Sequence, residues 1–581
     1  MGRAGVAPAR RTHVKRVIPL LLAATTAMGQ TTPQRSAATP TRPTPTPRAE
    51  ALAPVSESAR VDITNIEVVV TDSKDNRVQD LKREDFEIRQ DGIPQPIANF
   101  YAVDGPRVTF EDGKTIRLDT PEGKEEAPPD VKARYVLYID NLNIQPQNRN
   151  RMFKSLKEFV GQAIGPRVEA QVITYNRSLK VKQKFTPEAG LIVGALEDIE
   201  RETGGGTSLV GERRDALQRI NDARSAGEAS HIARTFARSL VNDIQFDVDA
   251  IKSTLNSLAG IEGRKVLVYV SEGLPSTAGY ELFDTIQRKF RENASTLEQF
   301  EFDLNAKYAS IVQSANAQGV TIWALDASGL SAGEFISAEN RNMETRPNEF
   351  LLRQNTQAPL QMMAEQTGGM AAINTNDWKR SLDELSRDFS SFYSLGYRTA
   401  RSGVDKPHAI QVSIKRKGLK VRYRKGLLEK TPETRVAETV MSALDYPRDD
   451  NPLAMSVRVD PSQPYQEDTY LLPVRIVLPI GKLGLLPSGD RYEGTYLVYL
   501  VVRDSKGDKS DLQVRKEGLS VPAKELQRAQ TKDHPYELKL VVRSGAQRLS
   551  LAVRDAVTNQ VSYFQKNFFV SVLPPEKKKS S

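Results

Sequence analysis

Tyr135-Val136-Leu137-Tyr138-Ile139-Asp140-Asn141-Leu142-Asn143-Ile144 is a short apolar run that stops at a carboxylate and enters an Asn-containing turn. A run of about five residues rich in β-branched and aromatic side chains reads as a strand. Three further runs have the same character: Val168–Thr174, Lys265–Val270 and Val320–Leu325. Val266–Val270 and Val320–Leu325 carry few charges, as expected for central strands buried on both faces. Helical stretches are expected between them at Arg149–Val160, Glu188–Glu200, Arg213–Ala226, Ile232–Leu258 and Tyr280–Ala317. Alternation of this kind predicts a mostly parallel sheet covered by helices. The last two helices exceed what a compact crossover needs, and are expected as an inserted helical pair.

In an open sheet of this class, ligands bind beyond the carboxyl ends of the strands. The residues there are Asp140 after the first strand, the loop Gly204-Gly205-Gly206-Thr207-Ser208, and Ser271-Glu272-Gly273 after the third. A strand-end Asp, then Gly-Gly-Thr, then Ser-acid-Gly resembles, in order and spacing, the von Willebrand factor A-type (VWA) domains. The flanks resemble one bacterial group, the VWFA-related acidobacterial domain proteins. Asp85-Phe86-Glu87 with Asp91-Gly92 is similar to its leading β module. Tyr393-Ser394-Leu395-Gly396-Tyr397 with Val421-Arg422-Tyr423-Arg424-Lys425-Gly426 is similar to its closing hairpin. The resemblance runs from Val61 to Leu427. It implies a doubly wound, Rossmann-like α/β sheet and a divalent-cation adhesion site built from Asp-x-Ser-x-Ser, a Thr and an Asp.

That carry-over is partial. Asp140, Thr207 and Glu272 take the positions of the first Asp, the Thr and the last acid, while Leu142 and Ile144 stand where the two serines belong. A hard cation such as Mg2+ requires near-octahedral oxygen donors, which aliphatic side chains cannot supply. A degenerate site holding no cofactor is therefore expected, with a rearranged Mg2+ site as the alternative. Without a metal, Asp140 and Thr207 would cap neighbouring helices.

Around this body the chain divides by composition. Residues 1–29 read as a signal peptide, with the basic Arg10-Arg11-Thr12-His13-Val14-Lys15-Arg16 before the apolar Val17–Met28. Residues 30–58 are a Pro/Thr-rich tether, too poor in apolar residues to offset ordering entropy. A small β module is expected over 59–105 and an acidic linker over 106–130. The VWA-like domain with its helical insertion is expected over 131–427, including a hairpin of His408–Ile414 and Leu419–Arg424. A β-sandwich of immunoglobulin-like type over 431–573 and a charged tail over 574–581 complete the chain.

Composition excludes several classes. With no cysteine there are no disulfides, Cys-zinc sites or thiol nucleophiles. The formal charge of +9 owes five basic residues to the first 29 positions, and the remaining 77 Lys+Arg against 73 Asp+Glu give only +4. These are interspersed, so no nucleic-acid partner is expected. The four histidines, His13, His231, His408 and His534, lack ligand spacing. The Gly-rich loop lacks a P-loop lysine, and Ser271 lacks the glycine two residues earlier that a nucleophile elbow needs. Asp326-Ala327-Ser328-Gly329 is half a metal motif, with Leu330 at its second serine position.

The expectation is an exported, non-enzymatic binding protein, periplasmic or secreted and not an integral membrane protein once its signal is cleaved. Its partners are expected to be proteins of the envelope or outside the cell. A Mg2+-dependent adhesin and a hydrolase using Asp140 and Glu272 as a carboxylate pair are the alternatives.

Overall fold

A computed structural model describes residues 63–128, 131–291, 300–330, 349–398, 403–466 and 469–571. The expected signal segment 1–29, tether 30–58 and tail 574–581 lie outside them. The chain is mixed α/β and divides into two compact units, with Ala59–Thr431 in one and Pro432–Ser581 in the other.

The first unit opens with β1 (Ile63–Thr71), β2 (Phe86–Gln90), β3 (Ile93–Gln95), β4 (Ile97–Asp104), β5 (Arg107–Phe110), β6 (Thr115–Arg117) and the short helix α1 (Pro121–Glu125). The α/β body then runs β7 (Ala133–Asp140), α2 (Pro146–Ala163), β8 (Val168–Tyr175), β9 (Leu179–Thr186), α3 (Ala189–Glu200), α4 (Gly206–Asp222) and α5 (Ala226–Ser257). It continues with β10 (Arg264–Ser271), α6 (Tyr280–Phe290), α7 (Asn305–Gln318), β11 (Val320–Asp326), α8 (Glu349–Gln366), β12 (Ala371–Ala372) and α9 (Trp378–Ser390). Four strands close the unit: β13 (Ser391–Arg398), β14 (Lys406–Ile414), β15 (Lys420–Tyr423) and β16 (Gly426–Glu429).

The body's sheet has the order β12-β11-β10-β7-β8-β9, parallel except at the β9 edge. Its central strands β7, β10 and β11 are apolar because both faces are covered. Tyr135, Leu137 and Ile139 pack with Met152, Phe153 and Leu156 of α2, Ile192 and Leu196 of α3, and Leu382 and Leu385 of α9. On the other face the Tyr138 hydroxyl reaches Asp247 of α5 at 3.4 Å. From β7 the chain moves outward to β8 and β9, then returns to place β10 on β7's other side. Strand order therefore reverses between β7 and β10, and the loops after Asp140 and Ser271 leave in opposite directions.

Three expectations are corrected here. The stretch 106–130 is not only a linker, because β5 and β6 extend the leading module's sheet. The strands after Ser390 do not close a contiguous 131–427 domain. β13 lies between β1 and β4, with Val68 opposite Tyr393 and Phe100 opposite Leu395, in the sheet β15-β1-β13-β4-β5-β6. The 59–105 module and the expected hairpin are thus one body, into which the α/β body is inserted. β13 is buried along nearly its whole length, and a lone hairpin could not bury it on both faces. Its two halves also separate: β14 joins β2 and β16, while β15 joins β1. Ile66, Val68, Phe86, Ile88, Leu395, Ile410 and Val412 form the core between those two sheets.

The expected inserted helical pair is corrected too. Tyr280–Ala317 is not one helix: α6 ends at Arg291 in a left-handed conformation (φ 54°) and α7 starts at Asn305. α5 is a single helix whose own Ile244, Val248, Ile251 and Leu255 are buried. The helix expected from Arg213 begins earlier, at Gly206.

The second unit carries α10 (Pro432–Ser442) and then β17 (Ser456–Val459), β18 (Gln463–Gln466), β19 (Thr469–Pro479), β20 (Leu486–Ser488), β21 (Arg491–Asp504), β22 (Gln513–Pro522), α11 (Leu526–Gln530), β23 (Asp533–Arg543), β24 (Gly545–Asp555) and β25 (Val561–Val570). Two antiparallel sheets share a core of alternate residues, among them Leu472, Val474 and Ile476 of β19 and Val498, Leu500 and Val502 of β21. α10 covers the other face of the second sheet through Val436 and Val440 on Tyr499, Val501 and Ala552. No helix among the described residues is long and apolar enough to cross a membrane.

Candidate functional site

The loops at the carboxyl edge of the body's sheet are bound to one another. The Glu272 N–H donates to the Asn143 carbonyl (2.9 Å), Ala327 N–H to Ser271 (2.8 Å), and Gly205 N–H to Asn141 (2.7 Å). Gly206 permits this approach, because a Cβ there would stand 2.4 Å from the Ile144 carbonyl oxygen. The expected residues therefore come to one rim, but they face different ways.

Asp140 is fully buried at the end of β7. Its Oδ2 accepts from the Tyr269 hydroxyl (2.6 Å), Asn143 Nδ2 (2.9 Å) and Ser271 Oγ (3.1 Å), and its Oδ1 from the Asn143 N–H (3.1 Å). Burial raises its pKa above the usual carboxylate range, against the pull of those bonds. Its neighbour is Asp247 of α5, 1% exposed, which accepts from Asn143 Nδ2 at 3.2 Å. Burial first, and the Asp140 charge second, push Asp247 well above the usual range. Two carboxylates in one dry site cannot both ionise cheaply, which favours the protonated form of one of them.

Glu272 takes another role. Its Oε1 accepts from the Gln145 N–H (2.8 Å) and Asn148 Nδ2 (2.7 Å), which caps the N-terminus of α2. Burial raises its pKa, and the hydrogen bonds from Asn148 and Gln145 lower it. Thr207 is exposed on the first turn of α4. Leu142 and Ile144, at the positions of the two expected serines, are 2% and 0% exposed. Among the described residues no group of three His, Asp or Glu side chains is placed to hold a metal ion.

A cavity of about 230 Å3 opens at this edge. Ile144, Phe236, Leu240 and Leu352 supply apolar wall; Glu272, Glu281, Arg213 and Arg353 supply charge. Of the three residues expected from sequence, only Glu272 lines it. Asp326 lies beside it at the end of β11, held by Ser328 Oγ (2.6 Å) and Gln357 Nε2 (2.8 Å).

Sequence reasoning missed Asp247 and Glu281. A signal for Asp247 exists: it falls on the apolar stripe of its own helix, between Ile244, Val248 and Ile251, where a charge is out of pattern. Glu281 carries no such mark, since α6 is short and its first turn ordinarily favours an acid.

No protein-family model and no curated protein matches the sequence. Solved structures that are similar include an aerotolerance-related membrane protein from Bacteroides fragilis, with 14% identity over 44% of this chain and 98% of that one and a TM-score of 0.23. A von Willebrand factor type A protein from Catenulispora acidiphila has 10% identity over 84% of this chain and 72% of that one, with a TM-score of 0.21. Three N-terminal domains of the type V pili tip protein Mfa5 from Porphyromonas gingivalis have 9% identity over 82% and 77%, with a TM-score of 0.24. The functional reading therefore rests on the geometry of the rim.

Proposed function

We propose that this chain is a VWA-type, non-enzymatic binding protein that docks a protein partner on the carboxyl edge of its open sheet without a bound cation. The open sheet is read as doubly wound and the second unit as a β-sandwich. The observation that carries the reading is the orientation of the rim. Both oxygens of Asp140 are spent on Tyr269, Ser271 and Asn143, and the two hydroxyl positions are filled by buried Leu142 and Ile144. That donor set does not fit Mg2+, which needs about six oxygens in near-octahedral array. The cavity, at the reversal of strand order, supports docking at this edge. The Ser271 hydroxyl is tied into the buried network, donating to Asp140 Oδ2 (3.1 Å), and Thr207 lies exposed on α4, which supports a binding role over a hydrolytic one. The partner is expected in the envelope or outside the cell.

Photo-crosslinkers placed at Thr207 and, as a control, at the exposed Val181 on β9 test this in an envelope extract. Docking at the rim captures a partner from position 207 and not from 181. Calorimetry with Mg2+ and Mn2+ is the second arm. Micromolar binding that disappears in Asp140→Asn would replace this reading with the metal-dependent one.

A further inference from the structure

The rim holds an acid whose side chain has no bonding partner among the described residues. Glu281 is 7% exposed and lines the cavity, yet among the described residues its carboxylate receives no hydrogen bond and makes no ion pair. Its backbone carbonyl accepts from Thr285 Oγ1 (2.7 Å), so the residue is fixed within α6 while its acid group is left over. Its carboxylate is reached from the cavity, so a cation entering there can meet it. The first turn of α6 offers it only the partial positive charge of a helix start.

We propose that the cavity is a socket for a lysine side chain of the protein partner, with Glu281 receiving the ammonium group. Three features fit that occupant. The volume, about 230 Å3, lies below the roughly 300–1,000 Å3 of pockets that take whole small molecules, and suits one inserted side chain. The walls from Ile144, Leu240 and Leu352 can cover an aliphatic stem while its charged tip goes to the acid. Phe236 adds an aromatic ring to the lining, and aromatic rings attract cations. Arg213 and Arg353 share the lining and have interactions of their own, while the Glu272 oxygens already accept from Gln145 and Asn148. The unmet demand is therefore a single negative charge. A compact ammonium answers it better than a planar guanidinium, which needs a second acceptor in its plane.

The inference rests on the docking reading above and deepens it by naming the partner's chemistry. Its test titrates the full chain with three blocked tripeptides, Ac-Gly-Lys-Gly-NH2 and the same peptide with norleucine or arginine at the centre. The lysine peptide is expected to bind at least tenfold more tightly than the norleucine peptide, and more tightly than the arginine peptide. Glu281→Gln should lose at least tenfold for lysine only, with its thermal transition intact. Leu240→Phe, which fills the cavity, should lose binding of all three. Equal binding of lysine and norleucine, tighter binding of arginine, or undiminished binding in a folded Glu281→Gln each overturns the socket. Partner capture from position 207 that survives in Glu281→Gln would refute the lysine socket and leave the docking face standing. Absence of capture at 207 together with tight lysine-peptide binding would refute the docking face instead.

Discussion

Replacing Asp247 by Asn should stabilise the first unit, and more so as pH rises. Asp247 and Asp140 are 1% and 0% exposed, and burial with mutual repulsion raises both carboxyls, Asp247 the further. A group bound to a proton in the native state but not in the unfolded one lowers stability as pH rises. The loss begins near the unfolded carboxyl pKa of about 4 and ends at the raised native value. Within that window the slope for one proton is about 1.4 kcal/mol per pH unit. Asparagine keeps the shape and supplies an N–H toward Asp140 in place of the shared proton. The variant should therefore lose the slope and gain more than about 1.4 kcal/mol at pH 7. The assay is built into the chain. Its two tryptophans, Trp323 and Trp378, are both buried in the first unit, so their fluorescence follows that unit's unfolding in urea. Midpoints from pH 5 to 7.5 should converge at the acid end and separate above it. A variant less stable than the parent at pH 7.5, or one with the parent's slope, would refute the proton-sharing pair.

Lys265 is nearly enclosed, its Nζ donating to the Ile261 carbonyl (3.0 Å), and burial pulls its pKa down to about 8. The charged form is disfavoured in the native state, so stability should rise between pH 8 and the unfolded value near 10.5; Lys265→Met should add about 3 kcal/mol at pH 7 in the same fluorescence assay. Gly206→Ala would press a Cβ to 2.4 Å from the Ile144 carbonyl oxygen. Despite the better helix propensity of alanine, a loss of about 1–3 kcal/mol is expected, with weaker crosslinking from position 207. Putting hydroxyls back with Leu142→Ser and Ile144→Ser should cost about 2–5 kcal/mol at each buried position and confer no Mg2+ binding, because Asp140 stays turned inward. A rise in the variant's melting temperature with millimolar Mg2+ would contradict that.

Local pattern made the strands of the α/β body legible. Runs such as Val266–Val270 are apolar because both faces of the strand are covered, and their shortness and β-branched content mark them as strands. Asp140 and Glu272 were legible as rim positions for the same reason, since a strand's end is where charge can resume, while Thr207 was legible only through the Gly-Gly-Thr resemblance. The return of β13 to a place between β1 and β4 was not. Thr64 and Tyr397 are paired across more than three hundred residues, and no local pattern records which distant edge a strand will fill.

Sequence alone determined which residues end the strands, and that aliphatic side chains replace two expected oxygen donors. Tertiary structure alone decided where the acids point: Asp140 inward to Tyr269, Glu272 onto the start of α2, and Glu281 into the cavity. The physical reason is that a carboxylate's partners are set by whatever helices and loops the fold packs against it. Those neighbours come from stretches such as Asp247's helix, remote in the chain and unmarked by any motif.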